Sequence, residues 1–268
     1  MSFAPVIPLT GLAGWRYLDN TLERQQDAHA NNPLQGRDVA YFRDNIGGVS
    51  SAADLVSDRR LLTVALGAFG LDDDLNNRAF IRKVLEDGTS ERSALANRLA
   101  DKRYRDLSDA FGLGDGQIPQ TGRSNFADTI IARHEDRQFE IAVGKQREDL
   151  RIALTLRREL PALASAETTE DTKWLQILGN PPLRRAFERA FGMPESFAGI
   201  DLDQQVSQIK DKALSRFGTT DPAVFAEPER GEELVELFLL RSQILSPVSG
   251  YSSASVALTL LQSAIGAL

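Results

Sequence analysis

The chain contains no cysteine. Disulfides, thiolate metal sites and cysteine nucleophiles are excluded together, and the redox compartment stays open, because a cysteine-free chain suits any of them. Histidine is almost as scarce: His29 and His134 are the only two, far apart in sequence and without companions at metal-ligand spacing. That argues against a zinc site. No Gly-x-Ser-x-Gly elbow is present to recruit either histidine into a hydrolytic triad, and His134 falls in the charged run Arg133-His134-Glu135-Asp136-Arg137, which reads as a solvated helix face.

Positive charge is also in deficit. With 31 basic against 38 acidic side chains the chain carries a net charge of −7 and a pI near 5.1. The basic footprint that duplex nucleic acid or an anionic membrane needs is missing, so neither partner is expected. Long apolar runs are missing too. The longest uncharged stretch, residues 242–268, is interrupted by Pro247, Gly250 and several serines. Its apolar part after Ser253 is too short to span a bilayer, and no transmembrane helix is expected. The opening MSFAPVIPLTGLAGW is apolar, but it lacks the positive start of a secretory signal and is cut by Pro5 and Pro8, so it reads as mature sequence.

What is present is a globular composition, 42% hydrophobic and 26% charged over 268 residues, long enough to bury a substantial core. Apolar residues recur at three- and four-residue spacing, while alternating β-branched runs are nearly absent. The pattern predicts an all-α fold, a multi-helix orthogonal or bundle arrangement. Helices are expected over residues 15–29 and around Val39, Phe42 and Ile46, then from a Ser51 cap through Leu55. The next presents Leu61, Leu62, Ala65, Leu66 and Phe69 on one face and closes at Gly70. Asp72, Asp73 and Asp74 precede a helix with Phe80, Ile81, Val84 and Leu85, where carboxylates would accept the free amide hydrogens of its first turn. Shorter helices carry Leu95 and Leu99, then Tyr104, Leu107 and Phe111.

The loop GLGDGQIPQTGR is the main candidate boundary, and it closes an N-terminal helical region (1–113); the loop itself is set at 114–124. Beyond it, residues 125–218 hold a long helix capped by Ser124, running to Val143 and on past Gly144 to Leu160, where Pro161 would stop it. A repeat-like helical region completes that stretch. It comprises a helix with Trp174, Leu175 and Leu178, one led by Pro181 and Pro182 with Leu183, Phe187 and Phe191 on its face, and one over 202–217 carrying Val206, Ile209, Ala213 and Leu214. Residues 219–230 read as a linker, and 231–268 as two C-terminal helices packed with the rest as one compact unit.

Three helices end alike, at Ala68-Phe69-Gly70, Ala110-Phe111-Gly112 and Ala190-Phe191-Gly192. A left-handed glycine after an apolar last turn explains each alone. The first and third share more, since aspartates and then a helix with paired basic residues come after both, so an internal duplication stands open beside that explanation.

Several chemistries are suggested locally and fail on inspection. Asp72, Asp74 and Asn76 hold the first ligand spacings of a calcium loop, but Asn77 stands where the turn glycine belongs and Lys83 where the bidentate glutamate belongs. The stretch 116–124 has five residues between its glycines and Arg123 in place of the phosphate-loop lysine, with no preceding strand. Basic pairs such as Arg157-Arg158 and Arg184-Arg185 alternate with Glu148, Glu159 and Glu188 as on solvated helix faces. Carboxylate pairing cannot be read from 38 acidic residues. No catalytic residue, metal ligand or cofactor is assigned.

The distinctive feature is the end of the chain. A charge-free terminal helix would place Ala257, Leu261, Ala264, Ile265 and Leu268 on one side. Such a stripe either docks on the body or packs against a partner chain or a second copy, and these five residues are the candidate partner-binding set.

The phrase from 39 to 71, with Tyr41-Phe42, Ala53-Asp54-Leu55-Val56-Ser57-Asp58, Leu61-Leu62 and Ala65-Leu66-Gly67-Ala68-Phe69-Gly70-Leu71, resembles an uncharacterised all-helical bacterial family, domain of unknown function 1217. The likeness continues through Phe80-Ile81-Arg82 and 96–112, and is thinner afterwards. In alphaproteobacteria its genes tend to sit among flagellar genes, so the resemblance implies a flagellum-associated role and supplies no catalytic residues. The expectation is a non-enzymatic structural, assembly or accessory protein, cytoplasmic or flagellum-associated. It would act through contacts with a protein partner, a flagellar component or a second copy of itself. The alternative is an enzyme or small-ligand binder whose site assembles from distant residues. An apolar pocket with convergent polar groups would favour the alternative, and an exposed apolar patch the first reading.

Overall fold

A computed structural model describes residues 3–99, 101–165 and 167–245, and the side chains of Leu34, Gln35, Ala164 and Ser165 are left undescribed. Among the described residues there are thirteen α-helices joined by short 3-10 turns, and no strand. Helices α1 (Gly11–Ala30), α2 (Pro33–Asn45), α3 (Ala52–Ser57), α4 (Arg59–Phe69), α5 (Arg78–Asp87), α6 (Leu95–Arg98) and α7 (Arg103–Phe111) precede the loop. After it come α8 (Phe126–Gly144), α9 (Glu148–Ser165), α10 (Glu170–Gly179), α11 (Pro181–Phe191), α12 (Leu202–Phe217) and α13 (Pro228–Leu245). The all-α expectation holds.

Local chemistry sets many of the ends. Ser51 and Asp54 form a reciprocal capping box at the start of α3, satisfying two amide hydrogens that the helix leaves free. Asp58 caps α4, and Asn180 caps α11 with prolines in its first turn, where a missing N–H costs nothing. Gly70 and Gly192 are left-handed, and each end carries a paired closure: Gly70 and Leu71 donate to Gly67 and Leu66, Gly192 and Met193 to Arg189 and Glu188. Gly112 donates only to Ser108. The first and third Ala-Phe-Gly ends thus share the fuller motif, and the second has the simpler one.

Five expectations are corrected. The single helix from 125 to 160 is an α8–α9 hairpin, because the chain turns at residues 145–147 and ion pairs across the turn, Arg158–Glu140 and Arg137–Glu159, hold the arms antiparallel. Ser124 does not cap α8, whose N-cap is Asn125. Pro161 does not end α9, because burial of Leu160 and Leu163 on either side carries the helix to Ser165. The aspartates at 72–74 do not cap α5, since a 3-10 turn over Asp72–Asn76 directs Asp72 to Gln138 (2.8 Å) and Asp74 to Tyr104 (2.6 Å). The stretch at 219–230 is not a plain linker, because Pro222 and Phe225 are buried and α13 already begins at Pro228. Asp221 caps a 3-10 turn over Pro222–Ala226, which plants Phe225 4.8 Å from the Phe217 ring and 5.3 Å from Phe187.

The buried apolar side chains form two clusters. One surrounds α4, with Val39, Phe42, Leu55, Ile81, Leu107 and Phe111 closing on it. The other gathers Trp15, Leu156, Trp174, Phe187, Phe191, Phe225 and Phe238. Helix α8 serves both, giving Phe126, Ile130 and Ile131 to the first and Phe139 and Val143 to the second.

Candidate functional site

Residues 3–10 lie along the body. Gln25 clasps the Val6 backbone from both sides: Val6 N donates to Oε1 at 2.7 Å, and Nε2 donates to Val6 O at 3.1 Å. Gln146 Nε2 donates to Pro5 O at 2.7 Å, and Pro5 and Ile7 are buried. Pro5 and Ile7 of this apolar segment are therefore packed within the molecule, while Val6 and Leu9 stay exposed.

Helices α1 and α13 run antiparallel. Trp15 Nε1 donates to Glu232 Oε1 at 2.7 Å, Arg16 pairs with Glu236 at 3.3 Å, and Gln243 is pressed against Gly11 where a Cβ would stand. The last turn of α13 thus meets the first turn of α1. At that end Ile244 is 81% exposed, Leu245 65% and Leu9 48%. Large aliphatic side chains left in water at one end of a helix pair form a candidate contact surface. The candidates Ala257, Leu261, Ala264, Ile265 and Leu268 lie outside the described residues, in the uncharged segment that comes after Leu245 in sequence.

A second concentration of polar groups lies where α8 passes between the cores. Arg158 donates to both oxygens of Glu140 (2.7 and 3.0 Å), Thr155 donates to Glu140 at 3.0 Å, and Arg137 pairs with Glu159 at 3.1 Å. Burial pulls the Arg158 pKa down, but its bonds to Glu140 and the charges of Glu140 and Glu159 outweigh that and raise it. Burial lowers the Arg137 pKa, with the charge of Arg158 adding to the effect. Every charge in this seam is matched, which makes it a strut between α8 and α9. Beside it the His134 ring lies against Gly67 of α4, and its Nδ1 has no hydrogen-bond partner among the described residues. His134 is buried, not on a solvated face, and burial lowers its pKa although Asp72 and Asp38 act the other way.

The suggestive motifs resolve into structure. Asp74 takes hydrogen bonds from Tyr104 and Asn77, and burial together with Asp74 pushes the Tyr104 pKa up to about 12. No group of three potential metal ligands occurs among the described residues. The loop before α8 packs inward through Thr121, whose hydroxyl donates to Val49 O at 2.6 Å. His29 sits edge-on between the Phe3 and Phe139 rings, remote in role from His134. Among the described residues no helix is long and apolar enough to cross a membrane.

Grooves also lie on the described surface. One of about 330 Å³ lies between α9 and α13, floored by Leu160, Phe225 and Val235 with Arg157 and Glu232 at its rim. Another, about 400 Å³, lies between α10 and α12 and includes Asp171, Leu175, Asp203, Val206, Lys210 and Asp211. Leu175 (38% exposed), Leu202 (47%) and Leu214 (52%) stand on these two helices. Sequence periodicity puts Leu214 with the buried face; the structure puts it outside.

Comparisons with known proteins agree with this architecture. The family model described as "Protein of unknown function (DUF1217)" matches residues 68–229. The crystal structure of an Agrobacterium tumefaciens protein, determined as a structural-genomics target, superposes with a TM-score of 0.71 at 25% identity. The match covers 91% of this chain and 100% of that one. No curated protein matches the sequence.

Proposed function

The chain belongs to this family of unknown function, and from that premise we propose that it is a non-enzymatic structural, assembly or accessory protein of the flagellum, acting through protein–protein contacts. One observation carries the contact reading: Ile244, Leu245 and Leu9 are exposed where α13 meets α1, within and beside the uncharged stretch over residues 242–268. Covering each such side chain is worth about 1.5–3 kcal/mol, which makes this end the place where a protein partner gains most. The flagellar setting rests on the resemblance and the gene neighbourhood it implies.

The test is capture from motile cells with tagged full-length protein and with a version that carries Ile244→Asp and Leu245→Asp. Flagellar proteins enriched by the first bait and lost with the second are the expected result. Enrichment of none by either bait would overturn the flagellar reading. The apolar floor and paired charges of the α9–α13 groove are the observation that favours the alternative, a small-ligand binder. A ligand-induced rise in unfolding temperature that Val235→Trp abolishes would then replace the contact reading.

A further inference from the structure

The groove between α10 and α12 has the form of a helix receptor. Its walls are Asp171 and Leu175, one turn apart on α10, and Asp203, Val206, Ser207, Lys210 and Asp211 on α12. At about 100° per residue Leu214 stands one turn beyond Lys210 on the groove side of α12, whereas Leu202 is turned away from the middle of that side. The exposed Leu175 and Leu214 would supply the apolar contact to a third helix laid in the groove.

Charge decides what fits. Lys210 is held by Asp171 at 2.8 Å and by Glu170 at 3.3 Å, which leaves the only ammonium on the groove neutralised. Asp203 and Asp211 make no ion pair among the described residues, and both lie on the groove side of α12. Lys212 falls on the other side of that helix by the same 100° rotation. Three carboxylates on the groove, Asp171, Asp203 and Asp211, against one ammonium make a negative rim around Leu175 and Val206.

We propose that the α10–α12 groove is a docking site for an amphipathic helix of a partner protein, one carrying lysine or arginine beside an aliphatic stripe. The leucines give the affinity and the carboxylates orient the helix and reject acidic or uncharged ones. The uncharged segment after Leu245 does not fit this rim, so the site is separate from the one at the α1–α13 end.

The probe is a labelled amphipathic Leu/Lys peptide matched to the 16 residues of α12, titrated into the full-length protein and followed by fluorescence anisotropy. Its controls are the same composition scrambled and a Leu/Glu counterpart. The expected result is saturable binding of the Leu/Lys peptide alone. Leu175→Glu with Leu214→Glu weakens it by about tenfold or more, and Asp203→Asn with Asp211→Asn by several-fold with a shallower salt dependence. All four positions are exposed, and unchanged melting by circular dichroism verifies folding of the variants. Equal binding of the scrambled peptide, no binding at all, or indifference to both pairs of substitutions overturns the proposal. Ile244→Asp with Leu245→Asp is expected to leave peptide binding unchanged, so a failure here is distinct from a failure of the contact reading at the other end.

Discussion

Helices α4 and α11 have the same ends and different interiors. Each has eleven residues, an acid or amide cap at its start and an Ala-Phe-Gly closure with paired backbone bonds. Aligned on that closure, Ala65 corresponds to Phe187 and Gly67 to Arg189. Helix α4 is buried on nearly every side, and its small residues let α8 come close. Helix α11 fills its core with rings: Phe187 meets Trp174 at 5.4 Å, Phe191 at 5.6 Å and Phe225 at 5.3 Å, all edge-on. Edge-to-face contacts of this kind add to simple burial. Ends are set by local backbone chemistry and can be shared, whereas interiors are set by whichever helix lies opposite.

The largest test of that contrast is Phe187→Ala, which gives α11 the side chain that α4 has at this place. In α11 nothing approaches to fill the space, so the loss should be about 3–5 kcal/mol in urea unfolding. Both tryptophans, Trp15 and Trp174, lie in the same cluster as Phe187, so fluorescence reports that core while circular dichroism reports all the helices. Because α8 belongs to both clusters, the two signals should shift together in one transition. Separate transitions would show that the two cores fold independently and that α8 does not couple them.

This contrast also marks how far the sequence could be read. The cap at Ser51, the prolines that open α11, the glycine ends at 70 and 192, and the bounds of α12 depend on residues within one turn of the feature, and they are visible in the chain. The break after Gly144 was not visible, because that glycine is not left-handed and the turn is held by Glu140, Arg158 and Glu159 across the hairpin. Phe225 was hidden for a similar reason. It is a lone ring among turn residues, and only the approach of Phe187 and Phe217 makes it core. The exposed pair of Leu175 and Leu214 needed the mutual placement of α10 and α12, which single-helix periodicity does not contain. The five terminal candidates lie outside the described residues, so their reading stays with the sequence.

A smaller effect tests the α4 side. A methyl at Gly67 would stand 2.4 Å from His134 Nδ1 and 3.3 Å from an Asp72 oxygen. Alanine gains about 1 kcal/mol of helix propensity over glycine, while overpacking costs about 1–3 kcal/mol. Gly67→Ala should therefore destabilise by on the order of 1 kcal/mol. In a His134→Ala background the same change should become stabilising, because the obstructing ring is gone. Denaturant midpoints of the four proteins in this cycle measure the coupling, and an unchanged sign would mean that α4 and α8 are not as closely fitted as the comparison holds.

The smallest effect is the pH dependence that the same contact imposes. Burial lowers the folded-state pKa of His134 from 6.5, and His29 adds to the lowering, while Asp72 and Asp38 oppose it. A histidine held neutral in this way binds fewer protons folded than unfolded. Its contribution to stability is fully present above about pH 6.5 and is lost as the pH falls towards the folded value, at no more than about 1.4 kcal/mol per pH unit. Burial also lowers the pKa of His29, so its share has the same sign, whereas burial raises Glu135 and Asp136, whose shares have the opposite sign at lower pH. Comparing wild type with His134→Gln cancels those common terms. Between about pH 7.5 and about pH 5.5 wild type should lose more stability than the variant in urea unfolding. Equal losses would mean that the ring takes up a proton freely against Gly67, and the close α4–α8 contact, the feature that most separates α4 from α11, would then be looser than the packing of α11.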